Sequence, residues 1–561
     1  MEFKEEIVKL LSKELNLKEQ EIKDLLETPP DPKLGDISLP CFKLSNTLKK
    51  DPKVIALELK SKLKINKDSI KETKVIGSYL NFYFNNEKFI SSTLTKILRE
   101  KGRYGFKPKN KEKIVIEFPS PNTNKPLHLG HLRNMSLGES VSRLLESQGN
   151  TVFRVNLNND RGVHICKSMI AYKKWGSNRL PDKKPDHFVG DFYVMFSKKE
   201  SPDLELEAQE MLRKWEKGDK ETLNLWKKMN SWTLQGFNET YKRFGSKFDK
   251  TYYESKIYKK GKVLILEGFK KGLFQKDEKG AIIIDLIGLG KKVLLRGDGT
   301  SIYITQDLYL AKLKYEDFKF NKSIIISASE QNYHFKVLFK LIETLKFPFA
   351  GSCFHLSYGM VLLPEGRMKS REGTVIDADD LIDELSEMAK KEIILRQKAT
   401  KNVGAIAEKI ALASLKCYLL KFTAHIDIVF NPKESISFEG ETGPYLLYSL
   451  VRANKILEKL TPSLNKINFN LLITQQEISL IKSLAEFLGI IEKSSKSLSP
   501  HILVDYLFKL ASAFNLFYEN CQVINAENKD LKLARASIVK AYNIVLNSSL
   551  SLLGIDIVKE M

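Results

Sequence analysis

The stretch from Lys113 to Asn156 constrains this chain more than any other. Lys113 to Phe118 reads as a buried strand, and Leu137, Val141 and Leu144 then recur at helical spacing until Gly149 stops the pattern. Thr151 to Asn156 reads as the next strand. Strand, helix, strand in so short a span is a βαβ unit, and a βαβ unit requires a parallel sheet. Ile324 to Ile326 and the segment 354–363 read as later strands of that sheet, with the charged, aromatic stretch 175–285 inserted between them.

With 561 residues there is room for about three or four domains of ~100–200 residues. Residues 1–110 open with a helical face (Ile7, Leu10, Leu11, Leu15), pass a turn-rich segment at 28–36 and end in strand-like alternation at 75–84, which makes an α+β module. The run Lys107-Pro108-Lys109-Asn110-Lys111 reads as a linker to the α/β region, 111–377. Residues 378–561 carry long helical patterns at 406–420, 445–460 and 533–553 and almost no strand pattern, so an all-helical domain is expected there.

Composition excludes more than it selects. No run approaches the ~20 apolar residues of a membrane span. The N-terminus carries acids where a secretory leader would be basic and apolar. Cys41, Cys166, Cys353, Cys417 and Cys521 are far apart and form no C-x-x-C pair, which argues against a structural zinc or a disulfide scaffold and for a reducing, cytoplasmic setting. Lys plus Arg exceed Asp plus Glu by 91 to 69, for a net +22. That excess suits a polyanionic partner, and it equally suits a lysine-rich coding bias.

The turn leaving the first strand holds the chemistry. It reads Pro119-Ser120-Pro121-Asn122-Thr123-Asn124-Lys125-Pro126-Leu127-His128-Leu129-Gly130-His131, and a helix begins at its end. A helix N-terminus offers free N–H groups and a positive dipole end to an anion. Gly130 leaves room for a flat base or ribose against the backbone. His128 and His131, three apart, can face one ligand and donate to phosphate oxygens, or simply cap the helix.

This H-x-G-H element resembles that of class I aminoacyl-tRNA synthetases and related nucleotidyltransferases, which implies a Rossmann-like catalytic domain and contact between His128, His131 and ATP phosphates. The partner element in that superfamily is a mobile basic loop, and Gly366-Arg367-Met368-Lys369-Ser370-Arg371-Glu372-Gly373-Thr374-Val375 occupies its place. Lys369 and Arg371 would neutralise departing pyrophosphate. The loop departs from the K-M-S-K pattern, as is common in the arginyl-tRNA synthetases. There a lysine just before H-x-G-H is thought to compensate, and Lys125 stands at that position.

Three further segments resemble the arginyl family: 117–122, 298–308 and 330–335. The resemblance implies that Glu117, Asp307 and Tyr303 surround a guanidinium, that Asn122 and Gln331 hold the α-groups of L-arginine, and that Pro126, Leu129, Gly130, His334 and Met368 line the ATP site. The chemistry is consistent, because a planar fork of five donors calls for carboxylate acceptors. Gln306 departs from a commoner arginine, and the segment 158–162 from a form with tryptophan before its glycine; neither is expected to touch the guanidinium contacts. Mg²⁺ is expected only as the companion of ATP, with no protein-only metal site.

Segment 438–452 places Tyr445, Tyr448 and Arg452 at successive helical turns, suited to stacking RNA bases or to filling a core. The C-terminal region resembles the family's anticodon-binding domain, with Met561 beside the anticodon loop, and the first module resembles its tRNA-contacting N-terminal domain. tRNA(Arg), L-arginine and ATP are then the expected partners of a monomer that activates arginine, a step that in this family generally requires bound tRNA. Competing readings are a glutamate or glutamine synthetase, disfavoured by the paired acids Glu117 and Asp307, a small-molecule nucleotidyltransferase, and a non-catalytic tRNA-binding paralogue.

Overall fold

Five parallel strands organise the α/β region: β1 (Lys113–Glu117), β2 (Thr151–Asn158), β3 (Lys250–Tyr253), β4 (Lys322–Ala328) and β5 (Cys353–Tyr358). Their order across the sheet is β5-β4-β1-β2-β3. The chain builds outward from β1 in one direction, then returns to add β4 and β5 on the other side. Connections leaving β1 and β4 therefore diverge, and a crevice opens at the carboxyl ends of those two strands, the usual ligand position in a doubly wound sheet. The computed structural model describes residues 2–364, 376–395, 402–460 and 467–561.

The helix expected after β1 is Leu129–Ser147, and it is buried along nearly its whole length. Such a helix has no polar face to show water, so its serines turn inward: Ser136 and Ser142 donate to the carbonyls of Leu132 and Gly138, four residues back. Gly138 is required by packing, since a Cβ there would lie 2.3 Å from the Phe118 ring. Arg133, 0% exposed, donates to the carbonyls of Gly359, Met360, Ala424 and Ile426. Asn134 donates to the Ile326 carbonyl on β4.

The stretch read as an insertion, 175–285, is more mixed than its composition suggested. Three helices, Pro185–Lys198, Pro202–Lys217 and Lys220–Phe244, are followed by β3, which is the edge strand of the main sheet. Four residues are too few to display a period of two, so β3 is hidden in sequence. A three-stranded antiparallel sheet follows (Gln275–Lys276, Ile282–Leu286, Gly290–Leu295). The segment read as one strand at 354–363 is two. β5 ends before Gly359, and Val361–Leu362 pairs instead with Ile428–Val429, a two-residue strand in the region expected to be all helical. Gly359 makes the break possible: a Cβ there would meet the Ile426 backbone at 2.2 Å.

The described chain forms two compact units. One comprises 106–448, 492–505 and 549–561; the other comprises 1–105, 449–491 and 506–548. In the second, Tyr79–Phe84 pairs antiparallel with both Ile37–Pro40 and Ile70–Ile76. Gly35 takes a positive φ of 116°, which lets Asp36 turn back so that its carboxylate accepts from the Phe84 N–H at 2.7 Å. Within the same unit Asp36 also pairs with Lys482, and Tyr104 stacks on Phe487 with centroids 6.0 Å apart. No helix among the described residues is long and apolar enough to cross a membrane.

Candidate active site

The turn from β1 to the Leu129–Ser147 helix is fixed by asparagine amides. Asn156 donates to the Pro119 carbonyl at 2.6 Å and Asn159 to that of Ser120 at 3.0 Å, both from the end of β2 or just beyond it. Thr123 bonds Asn230 on the Lys220–Phe244 helix, and Asn124 donates to the His164 carbonyl at 3.4 Å. Pro126 rests on Gly190 of the Pro185–Lys198 helix, where a Cβ would come within 2.7 Å of its ring. The backbone of this turn is therefore held in place before any ligand arrives.

His128 and His131 do cap the helix. The Gly130 N–H donates to His128 Nδ1 at 3.2 Å, and the His128 N–H donates to His131 Nδ1 at 3.1 Å, with ring centroids 3.9 Å apart. Capping and phosphate binding are compatible. Burial, with Lys125 adding to it, holds His128 down to about 3, and burial holds His131 well below the ordinary histidine range. Both rings are thus neutral near pH 7. With each Nδ1 accepting, the proton resides on Nε2 and remains available to an oxyanion. The space beside Gly130 is taken by His128 itself, whose ring a Cβ would meet at 3.0 Å.

Lys125 is lowered by burial, with Asp377 opposing. Asp377 belongs to the segment that leaves the basic loop. The Leu129 N–H donates to the Ile376 carbonyl, and the Ala378 N–H to that of Leu127, so the exit from the loop is bonded directly to the H-x-G-H turn. Lys369, Arg371 and Met368 lie outside the described residues. Among the described residues, His187, Asp377 and Asp380 bring ligand-type atoms within 4.8 Å of one another, beside the turn; a cluster this exposed needs no ion to account for it.

The second half of the site gathers carboxylates. Tyr303, Asp307 and Lys314 share one face of the Tyr303–Phe318 helix. Glu117, the last residue of β1, accepts from Lys314 at 2.6 Å in a buried pair. Asp307 bonds His334 Nε2 at 2.6 Å, and the Tyr303 ring lies 5.4 Å from that imidazole. Burial pushes the Asp307 carboxyl above its usual range, with His334 opposing and Glu117 adding. Asp307, then burial, pushes the Tyr303 phenol well up. Asn122 and Gln331 are exposed at the edge of the crevice.

A third acid was not anticipated from sequence. Glu254, which follows β3, is buried, and Arg161 lies 3.7 Å from it. Burial lifts its carboxyl to about 7; Arg161 opposes, Asp160 and Asp307 add, and the Gln306 side chain bonds it. Gln306 and Arg161, the two departures expected to stand apart from the guanidinium contacts, thus converge on an acid coupled to Asp307. The only sequence trace of Glu254 is its position directly after the aromatic pair Tyr252-Tyr253.

The residues expected to meet tRNA are less open. Tyr445 and Tyr448 are half-buried on the Gly443–Lys459 helix, Arg452 lies over the Tyr518 ring at 5.4 Å, and Met561 is 4% exposed.

The family model for the class I (R) tRNA synthetase catalytic domain matches residues 93–431, more than half the chain. The chain belongs to the arginyl-tRNA synthetases. Models of the arginyl-tRNA synthetase N-terminal domain and the DALR anticodon-binding domain match 1–84 and 446–561. Similar relatives include the arginine–tRNA ligases of Treponema denticola (46% identical, covering 96% of this chain and 94% of that one) and Borrelia hermsii (44%, covering 99% and 98%). Among solved structures, the Thermus thermophilus arginyl-tRNA synthetase superposes with a TM-score of 0.84 at 25% identity, covering 99% of both chains. That of Plasmodium falciparum gives 0.78 at 20% identity, covering 96% of this chain and 94% of that one. Membership of the arginyl-tRNA synthetases removes the glutamate, glutamine and small-molecule alternatives.

Proposed function

We propose that this arginyl-tRNA synthetase is an arginine–tRNA ligase whose amino-acid site is the acid cluster Glu117, Asp307 and Glu254 beneath Tyr303. The observation that carries the reading is the meeting of three carboxylates at the carboxyl ends of the strands, beside a turn built to receive an anion. Carboxylates suit the five-donor guanidinium, and a lysine side chain would leave some of these acceptors unpaired.

Asn122 and Gln331 hold the α-groups of arginine and turn its carboxylate toward the α-phosphate of ATP. An oxygen of that carboxylate attacks phosphorus in line, the bond to the bridging oxygen breaks, and pyrophosphate leaves with the electron pair. His128 and His131 donate from Nε2 to oxygens of the α-phosphate, and the helix N-terminus adds its dipole. Lys125 supplies the cation on this side of the site, with Lys369 and Arg371 assigned to the departing pyrophosphate. Pro126, Leu129, Gly130, His334 and Met368 line the nucleotide. Mg²⁺ accompanies ATP and adds charge neutralisation to the phosphates. A hydroxyl of the terminal ribose of tRNA(Arg) then attacks the carbonyl carbon and releases AMP. Tyr445, Tyr448, Arg452 and Met561 serve the tRNA. The enzyme acts as a cytoplasmic monomer.

ATP–pyrophosphate exchange, run with each amino acid with and without tRNA, tests the reading. Arginine should support exchange. Exchange with lysine or glutamate and none with arginine would overturn it, and none with any amino acid, even with cognate tRNA, would favour a non-catalytic paralogue. Lys125→Ala should slow arginine-dependent exchange by roughly 10²-fold; an unchanged rate would remove Lys125 from the mechanism.

A further inference from the structure

We propose that Asp379 is a positioning residue for adenylate formation: it fixes the segment lying across the H-x-G-H turn, and through it the placement of Lys125, His128 and His131. The inference deepens the reading of that turn as the place where arginine is activated, and rests on it.

The turn has two supports. One comes from the insertion helices, where Asn230 bonds Thr123 and Gly190 receives the Pro126 ring. The other is main chain. The Leu129 N–H donates to the Ile376 carbonyl at 3.2 Å and the Ala378 N–H to that of Leu127 at 2.9 Å, so 376–378 runs antiparallel along 127–129. Asp377, in the middle of this strip, opposes the effect of burial on Lys125 and favours its charged form. Two main-chain bonds are too few to hold such a strip by themselves.

Asp379 supplies the anchor. It stands in the first turn of the Ala378–Leu395 helix and is 8% exposed. Its carboxylate accepts from Thr240 Oγ1 at 2.7 Å and from Arg243 Nη1 at 3.2 Å, and Lys184 Nζ lies 3.1 Å away. Thr240 and Arg243, three apart, share a face of the Lys220–Phe244 helix, and Lys184 directly precedes the Pro185–Lys198 helix. These are the two helices that carry Asn230 and Gly190. Both supports of the turn therefore rest on one frame.

The frame is itself closely fitted. Lys184 also holds Asp186, which is fully buried, at 2.7 Å. Gly236 lets the two helices meet there, since a Cβ would lie 2.2 Å from Asp186 Oδ1. A buried network with this many bonds specifies a single geometry. Glu117, Asp307 and Glu254 stand on other elements: β1, the Tyr303–Phe318 helix and the turn after β3. Loosening the strip should thus slow the chemical step and spare arginine binding.

ATP–pyrophosphate exchange on the full chain, with arginine and cognate tRNA, tests this. Asp379→Asn keeps the shape of the side chain and removes its charge. It should lower kcat by roughly 10–10²-fold while KM for arginine stays within about twofold. Thr240→Val keeps the volume and deletes the hydroxyl; it should show the same split at smaller size, and it carries the test if Asp379→Asn does not fold. Asp383→Asn is the control. Asp383 shares Arg243 at 2.5 Å but is 67% exposed, so its loss should leave exchange as in wild type. An unchanged kcat in Asp379→Asn, an arginine KM that rises as much as kcat falls, or an equal loss of kcat in Asp383→Asn overturns the proposal. Wild-type enzyme that shows no arginine-dependent exchange would sink the reading of the turn instead.

Discussion

Glu117 is the residue in which a proposed part in binding arginine and a structural part are most tightly joined. It ends β1 at the crevice and is also, among the described residues, the carboxylate that accepts from Lys314, a lysine with almost no exposed surface. Glu117→Gln should therefore lose stability as well as arginine affinity, because it strands a buried ammonium, a change worth about 3–5 kcal/mol. Adding Lys314→Met should restore much of that stability in denaturant titrations and leave arginine binding impaired. If the double variant were no more stable than the single, the buried pair would not be the cause. Glu117 and Asp307 could be singled out as candidates in the sequence because they stand in family-like segments. Lys314 was not. A lysine on a patterned helix reads as solvated, and only the approach of β1, 197 positions earlier, shows that it is enclosed.

At the scale of elements, the contact that sets the site is Leu129–Ser147 against the sheet. Phe118, one residue beyond Glu117, lies in the space that Gly138 leaves open. Gly138→Ala should overpack this contact, cost about 1–3 kcal/mol of stability, and raise KM for arginine and ATP together, because the displaced residue stands in the chain between Glu117 and the turn that carries His128 and His131. Steady-state kinetics and thermal melts read the two effects; a rise confined to one substrate would argue against a rigid shift of the turn. The strand-to-helix turn itself could be read from sequence, since a buried strand, a proline-rich break and a helical period coincide there. β3 could not, and with it went Glu254. A four-residue edge strand that begins on a lysine and is flanked by Asp249 and Glu254 carries too little pattern, although its backbone pairing with β2 is what delivers that acid to the cluster.

At the scale of the molecule, charge and connectivity separate. The excess of 22 positive charges gives a polyanion a strong, salt-sensitive attraction if a share of it meets phosphates. tRNA affinity should then fall by roughly 10³-fold or more between 50 and 200 mM salt if at least six phosphates are neutralised. Filter binding across that range measures the slope, and a shallow slope would return the lysine excess to coding bias. The three family regions were legible as changes of pattern along the chain. The compact units were not, because one joins the first 105 residues to helices more than 340 positions later, through contacts such as Asp36 with Lys482. No local period encodes a pairing at that separation.

Arg133 casts the substrate site in a different light. The protein already holds one guanidinium of its own, wholly enclosed, and it does so with four neutral main-chain oxygens. That tenant is covalently attached and cannot leave for water, so dipoles suffice, and no particular side chain at 360, 424 or 426 is needed for the grip. A visiting guanidinium must be drawn out of water and later released as product, so it needs full charges that can be partnered again when it has gone. One chain thus keeps two solutions to one chemical shape, sorted by whether the guest is permanent.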